Sequence, residues 1–265
     1  MSGYGQDMST AGSWFHPVQA DPAASIRLFL LPHAGSGAII YRDWPALLPA
    51  GICAQAVTLP GRHNRHEEET FEDFEPLLEG LYEAVLDELD DDRPFAIFGH
   101  CLGAQLGFRV AVRLGQEGER QPLLLGMSGW SPVGFFKPTE EQSRMPDDEM
   151  LAWIKKLGSF PAEVYDNPDM LALIVPALRA DLRVSAQYED DGAGVSCPLA
   201  SYGGDSDPLQ EAPDAMTHWA GRSPHYLGHR GFAGGHFYLD HHALAVTADF
   251  CRHLRRLAAQ PAPPR

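Results

Sequence analysis

The pentapeptide Gly99-His100-Cys101-Leu102-Gly103 constrains this chain more than any other feature. It follows the apolar run 95–98 and opens a stretch, 102–117, in which Leu102, Leu106, Val110 and Leu114 recur every four residues. Strand, sharp turn and helix in that order are the setting of a nucleophile elbow, the G-x-S-x-G pattern, here with cysteine at its centre. The turn presses the residues two before and two after its centre into a crowded space, and Gly99 and Gly103 meet that need. Cys101 then stands at a helix N-terminus, where the dipole favours a thiolate. A small buried cysteine beside a chance glycine pair is the plainer explanation, and the strand–turn–helix context outweighs it.

The rest of the chain repeats this alternation. Apolar runs at 26–31, 52–58, 95–98, 123–127, 199–202 and near 225–230 predict strands. Between them, 71–90 carries Phe71, Phe74, Leu77, Leu78, Leu81, Val85 and Leu89 on one stripe of an acidic helix. Further helical patterns lie at 102–117, 147–157, 168–178, near 211–221 and at about 240–257. Strands alternating with helices predict an α/β fold, a mostly parallel central sheet flanked by helices. The stretch 133–190 has short helical patterns and no strand, and reads as an insertion over one edge of the sheet. Residues 1–24, rich in Gly, Ser, Ala and Pro, read as a flexible arm that Trp14 and Phe15 could pin. A single domain over 25–258 and a disordered tail over 259–265 complete the expected organisation, which suits a chain of 265 residues.

Composition narrows the function. Lys plus Arg number 20 against 36 Asp plus Glu, a formal charge of −16 whose field repels polyanions, so nucleic acid and anionic membrane are poor partners. The first residues lack the basic and apolar regions of a secretory signal, and the longest apolar runs are too short to span a bilayer. Four cysteines do not make a disulfide framework. A cytoplasmic monomer is the expectation.

A nucleophile needs a base and an acid, and behind an elbow they come in the order acid, then histidine. His236 lies in the Gly-rich segment Gly234-Gly235-His236-Phe237, just before the last helix. Asp207, in Gly203-Gly204-Asp205-Ser206-Asp207-Pro208, comes after a strand and is the first candidate for the acid. Asp205 is the second, and one of the two serves only the turn or caps the next helix. An oxyanion hole needs backbone N–H groups. Leu102, next to the nucleophile, supplies one, and Ala34, in the loop Pro32-His33-Ala34-Gly35-Ser36-Gly37 after the first long strand, is the candidate for the other. His33 reads as a structural hydrogen-bonder. The clusters His63, His66, Glu67, Glu68 and Asp240-His241-His242 lack metal-ligand spacing, and Cys53, Cys197 and Cys251 read as small hydrophobes.

Four blocks together resemble a known family. Pro-His-Ala-Gly at 32–35, Leu-Pro-Gly-Arg at 59–62 with Arg65 after it, Gly-His-Cys-Leu-Gly-Ala at 99–104, and Gly-Gly-Asp-Ser-Asp-Pro at 203–208 with Gly-Gly-His-Phe-Tyr-Leu at 234–239 resemble, in order and spacing, the type II thioesterases of polyketide and nonribosomal peptide biosynthesis. The resemblance implies an α/β-hydrolase fold with a helical lid, matched to about 133–190. It implies a triad of Cys101, His236 and Asp207, and an acyl thioester substrate presented by an acyl or peptidyl carrier protein. No cofactor is implied, since the phosphopantetheine belongs to the partner.

Cys101 departs from the family's usual serine. A cysteine acyl-enzyme is itself a thioester, so passing an acyl group between thiols through it is nearly isoenergetic. Thioesters also react more readily with thiols and amines than with water. Transfer to another carrier thiol or an amine therefore stands as an alternative to hydrolysis. A small-molecule ester or lactone hydrolase and a non-catalytic binding module are more distant ones. Trp130, Phe135, Phe136, Trp153, Phe160 and Tyr165 are candidates to line an acyl channel, and Arg62, Arg65, Arg252, Arg255 and Arg256 to meet an acidic carrier.

Overall fold

The run Ile26–Leu31 forms a strand, β2, buried along its whole length, because a parallel strand covered on both faces needs apolar residues at almost every position. Its residues alternate between two cores: Phe29 and Leu31 face one side of the sheet, and Ile26, Leu28 and Leu30 face the other. In this computed structural model, residues 13–17 and 19–260 are described.

Among those residues seven strands form one sheet in the order β1-β3-β2-β4-β5-β6-β7. They are β1 (Phe15–His16), β2, β3 (Ile52–Val57), β4 (Phe95–His100), β5 (Leu125–Ser128), β6 (Leu199–Gly204) and β7 (Tyr226–Phe232). All neighbours are parallel except β1, which runs antiparallel to β3 with Phe15 opposite Val57. The chain steps from β2 outward to β3, then crosses back to β4 on the other side of β2. The crevice between the carboxyl ends of β2 and β4 is therefore the topological switch point, where open α/β sheets place their sites.

Helices α1 (Trp44–Leu47) and α8 (Leu239–Ala258) pack on one face of the sheet through Trp44, Val246, Phe250 and Leu254. On the other face, α2 (Phe74–Glu88) and α3 (Leu102–Gln116) contribute Leu77, Leu81, Leu106 and Val110. Between β5 and β6 come α4 (Glu140–Ser143), α5 (Asp147–Leu157), α6 (Ala162–Tyr165) and α7 (Pro168–Ala186). Met150, Ile154, Leu178 and Leu182 give this helical segment a small core of its own.

Two expectations are corrected. The helix read as 168–178 continues to Ala186, carried through Pro176; proline forfeits one backbone bond there, but burial of Leu178, Leu182 and Val184 sustains the later turns. The stretch near 211–221 forms a 3-10 helix over Ala215–Gly221 rather than an α-helix. Trp14 and Phe15 do pin the end of the expected arm: Phe15 is buried and strand-paired, and Trp14 stacks on Phe71 and under the Arg65 guanidinium. Residues 1–12, Val18 and the end of the expected tail, 261–265, lie outside the described residues.

Candidate active site

Cys101 ends β4 and caps α3 with φ 55° and ψ −116°, a left-handed backbone that L-residues rarely adopt. Its amide donates to the Ser128 carbonyl at 2.9 Å, which ties the elbow to β5. A Cβ on Gly99 would sit 2.1 Å from the Gly103 carbonyl oxygen, and one on Gly103 would sit 2.1 Å from that of Leu31. Both glycines are thus required by contact with backbone, which cannot swing aside. They let α3 start directly over the end of β2.

His236 is carried by the loop between β7 and α8. That loop lies so close to the end of β6 that a Cβ on Gly204 would meet the Gly235 carbonyl oxygen at 2.2 Å. His236 Nδ1 donates to Asp207 Oδ2 at 2.7 Å, with both side chains 1% exposed. Asp207 Oδ1 accepts the Leu209 amide at 2.9 Å, so the carboxylate is held from two directions. Burial by itself would lower the pKa of His236. Interaction with Cys101 and the hydrogen bond and charge of Asp207 override it and push the imidazole up to about 10. Nε2, the nitrogen away from Asp207, is buried without a hydrogen-bond partner among the described residues. Asp205, the second candidate, is exposed at the end of β6 and lies against Gly231.

The loop after β2 is locked from beneath. Ser36 Oγ donates to the His33 carbonyl at 2.7 Å, and the Gly35 amide donates to Asp181 Oδ2 on α7 at 2.7 Å. Arg62 donates to both Asp181 oxygens and to the Ser36 carbonyl. Ala34 is thereby fixed beside Cys101, Leu102 and His236 on the wall of one cavity. The Leu102 amide is the first of α3 and has no acceptor within its helix. His33 is buried, bonds through Nδ1 to the Ala34 carbonyl at 2.9 Å, and has its pKa lowered to about 4, above all by burial. It is a neutral structural group, as its place in the sequence suggests.

A second set of residues has a role that the sequence does not show. His100 Nδ1, Ser128 Oγ and the Tyr238 hydroxyl form a buried chain with distances of 2.8 and 2.6 Å. The His100 ring lies 5.1 Å from that of His236. Burial, helped by the charge of His236, holds His100 well below the usual imidazole pKa, so it stays neutral. Gly129 (φ 59°) makes this packing possible, since a Cβ there would stand 2.5 Å from His100 Cε1. Tyr238 stands in the block Gly-Gly-His-Phe-Tyr-Leu, and only its tertiary partners show what its hydroxyl does.

The cavity over Cys101 is narrow, about 50 Å³, and opens to solvent. Trp130, Phe135, Phe136 and Trp153 line it, as expected of an acyl channel. Phe160 lines instead a neighbouring groove of about 590 Å³, which meets the cavity at His33, Ser159 and Phe237. Tyr165 lines neither and packs on Phe160. Arg62 and Arg65 do not form a basic patch. Both are buried, Arg62 on Asp181 and Arg65 on Glu68, because the loop that carries them folds inward. Arg252 is exposed on α8 and paired with Asp249; Arg255 and Arg256 are exposed on the same helix. Among the described residues, no group of three or more His, Cys, Asp or Glu is placed to hold a metal ion, and no helix is long and apolar enough to cross a membrane.

Residues 26–256 match the profile of the Thioesterase domain family. The gramicidin S biosynthesis protein GrsT of Aneurinibacillus migulanus is 27% identical over 254 residues, 95% of this chain and 98% of its own length. A probable cadicidin biosynthesis thioesterase of Streptomyces griseus is 32% identical over 259 residues, 96% of this chain and 69% of its own. Among solved structures, ClbQ from the colibactin NRPS/PKS pathway superposes with a TM-score of 0.81 at 25% identity, covering 89% of this chain and 99% of that one. The type II thioesterase BorB from the borrelidin biosynthetic cluster superposes at 0.77 with 31% identity, covering 89% and 95%.

Proposed function

The chain belongs to the thioesterase family of the α/β-hydrolase fold, and on that footing we propose that it releases acyl groups held as phosphopantetheine thioesters on acyl or peptidyl carrier proteins of polyketide or nonribosomal peptide biosynthesis. The observation that carries this reading is the His236–Asp207 pair beneath an apolar cavity that Cys101 also lines.

In this mechanism the Cys101 Sγ attacks the thioester carbonyl carbon after His236 Nε2 has taken its proton. The carbonyl π pair moves onto oxygen, and the amides of Ala34 and Leu102 receive the oxyanion. Collapse breaks the bond to the pantetheine sulfur, which leaves with the proton from His236. Water then gives a proton to His236 and attacks the acyl-Cys carbonyl. The free acid departs and the thiol is restored. Asp207 orients His236 and stabilises the imidazolium throughout. The helical segment α4–α7 acts as a lid, and the groove that meets the cavity at His33 and Phe237 gives the pantetheine arm its approach. The enzyme works as a cytoplasmic monomer, with its cysteines free.

Cys101 itself favours a second reading, delivery of the acyl group to another thiol. One experiment separates the two. Purified protein is mixed with an acyl-loaded carrier, with and without a second unloaded carrier, and all species are followed by intact mass spectrometry. Rapid conversion to free acid, abolished in Cys101→Ala, is the expected result. An adduct on Cys101 that persists in water and then moves to the second carrier would replace hydrolysis by transfer. No adduct and no turnover over several acyl groups would overturn both.

A further inference from the structure

The wall of the cavity holds a polar pair that the acyl-enzyme chemistry does not use. Gln105 on α3 and Ser185 on α7 both line it, both are buried, and the Ser185 hydroxyl donates to Gln105 Oε1 at 3.0 Å. Apart from Cys101, His33, His236 and Ser159, the remaining lining residues are apolar or glycine. Gln105 stands where a packed apolar residue would be the simpler choice, between Ala104 and Leu106 on a buried stretch of helix. Ser185 claims the oxygen of its amide and not its nitrogen. The amide therefore keeps N–H donors for whatever occupies the cavity.

The position of that donor relative to the nucleophile is fixed by the helix. Gln105 lies four residues after Cys101, and its backbone amide donates to the Cys101 carbonyl at 3.2 Å, so the two lie one turn apart on one face. Four residues of helix rise by about 6 Å, the reach of a short acyl chain from the sulfur. Resting on the thioesterase reading above, we propose that Gln105, held by Ser185, is a specificity-determining residue. It selects acyl groups that carry a hydrogen-bond acceptor oxygen, a keto or hydroxyl group, a few carbons from the thioester. A site built to bond a substrate oxygen disfavours the analogue that lacks it, because its own buried group is then left without a partner.

The test uses the full chain and three loaded carriers: butyryl, 3-oxobutyryl and 3-hydroxybutyryl. Loss of acyl from each is timed by mass spectrometry for the wild type, Gln105→Leu and Ser185→Ala. The wild type is expected to prefer one or both oxygenated groups over butyryl by about tenfold in kcat/KM. Gln105→Leu brings that ratio to about one. Ser185→Ala, which leaves the amide in place but free to turn, lowers it by an intermediate amount. Equal rates on all three carriers in the wild type, or an undiminished ratio in Gln105→Leu, would overturn the proposal while leaving the thioesterase reading intact. Failure of the wild type to act on any of the three, butyryl included, would overturn both.

Discussion

Arg62 and Asp181 meet in a two-point ion pair with N–O distances of 2.5 and 2.8 Å, almost entirely out of water. The pair joins the loop after β3 to α7, and through the Gly35 amide it also holds the loop that presents Ala34. Removing one partner strands a buried charge, so Arg62→Met is expected to lose about 3–5 kcal/mol of stability. The double variant Arg62→Met/Asp181→Leu recovers part of it, the rest staying lost because the Gly35 amide no longer has its acceptor. Urea unfolding of the three proteins checks this, and equal losses in the single and double variants would contradict it.

Acid should destabilise the fold through two neutral histidines. Burial lowers the pKa of His33 to about 4 and that of His100 well below its ordinary range. The unfolded chain takes up both protons near pH 6.5. Their contribution to stability is therefore complete above pH 6.5 and is lost as the pH falls below it, for His33 by about pH 4. Thermal unfolding between pH 7 and 4 should show a falling Tm, with a shallower slope in His33→Gln.

His236 has the opposite sign. Its pKa is raised against burial by Cys101 and Asp207, to about 10. The stability it contributes is complete below pH 6.5 and is lost as the pH rises through 10. Asp207→Asn should draw that basic limb back toward neutral pH and lower kcat by about 10³–10⁴-fold. Histidine chemical shifts measured from pH 6 to 10.5 report the first effect, and single-turnover acyl release reports the second.

Gly103→Ala would place a methyl group 2.1 Å from the Leu31 carbonyl oxygen, a backbone atom. The expected loss is about 3 kcal/mol, at the upper end for overpacking. It comes with a fall in kcat, since α3 must move away from β2 and separate the Leu102 and Ala34 amides. Gly115→Ala, on the same helix but with its new methyl in ordinary contact at 3.6 Å from Gln121, serves as the comparison without a clash.

Much of this architecture is written locally. The buried parallel strands show as unbroken apolar runs, and the elbow as two glycines around Cys101, because both depend on neighbours in the chain. The turn Gly-Gly-Asp-Ser-Asp-Pro offers two carboxylates and does not by itself say that Asp207 rather than Asp205 meets His236; only the resemblance points to Asp207, and the contact itself is made in the fold. The features that escape depend on partners far away in sequence. Arg62 looks like a surface cation until Asp181, 119 residues later, is folded against it. Tyr238 and Ser128 are ordinary until their hydroxyls meet under His100. Pro176 hides the true end of α7, a local signal that burial of the later turns outweighs. A polar residue inside an apolar stretch of helix, such as Gln105 or Asp181, is the trace such partnerships leave.

The left-handed backbone at Cys101 also bears on how damage to this protein would look. A non-glycine residue so placed costs the folded state about 1–3 kcal/mol. Cys101→Gly would give that energy back, yielding a chain that expresses well, melts later and resists proteolysis, yet has no sulfur to offer. A screen for robust variants would therefore enrich the inactive ones at this position, and solubility would be a misleading guide to competence.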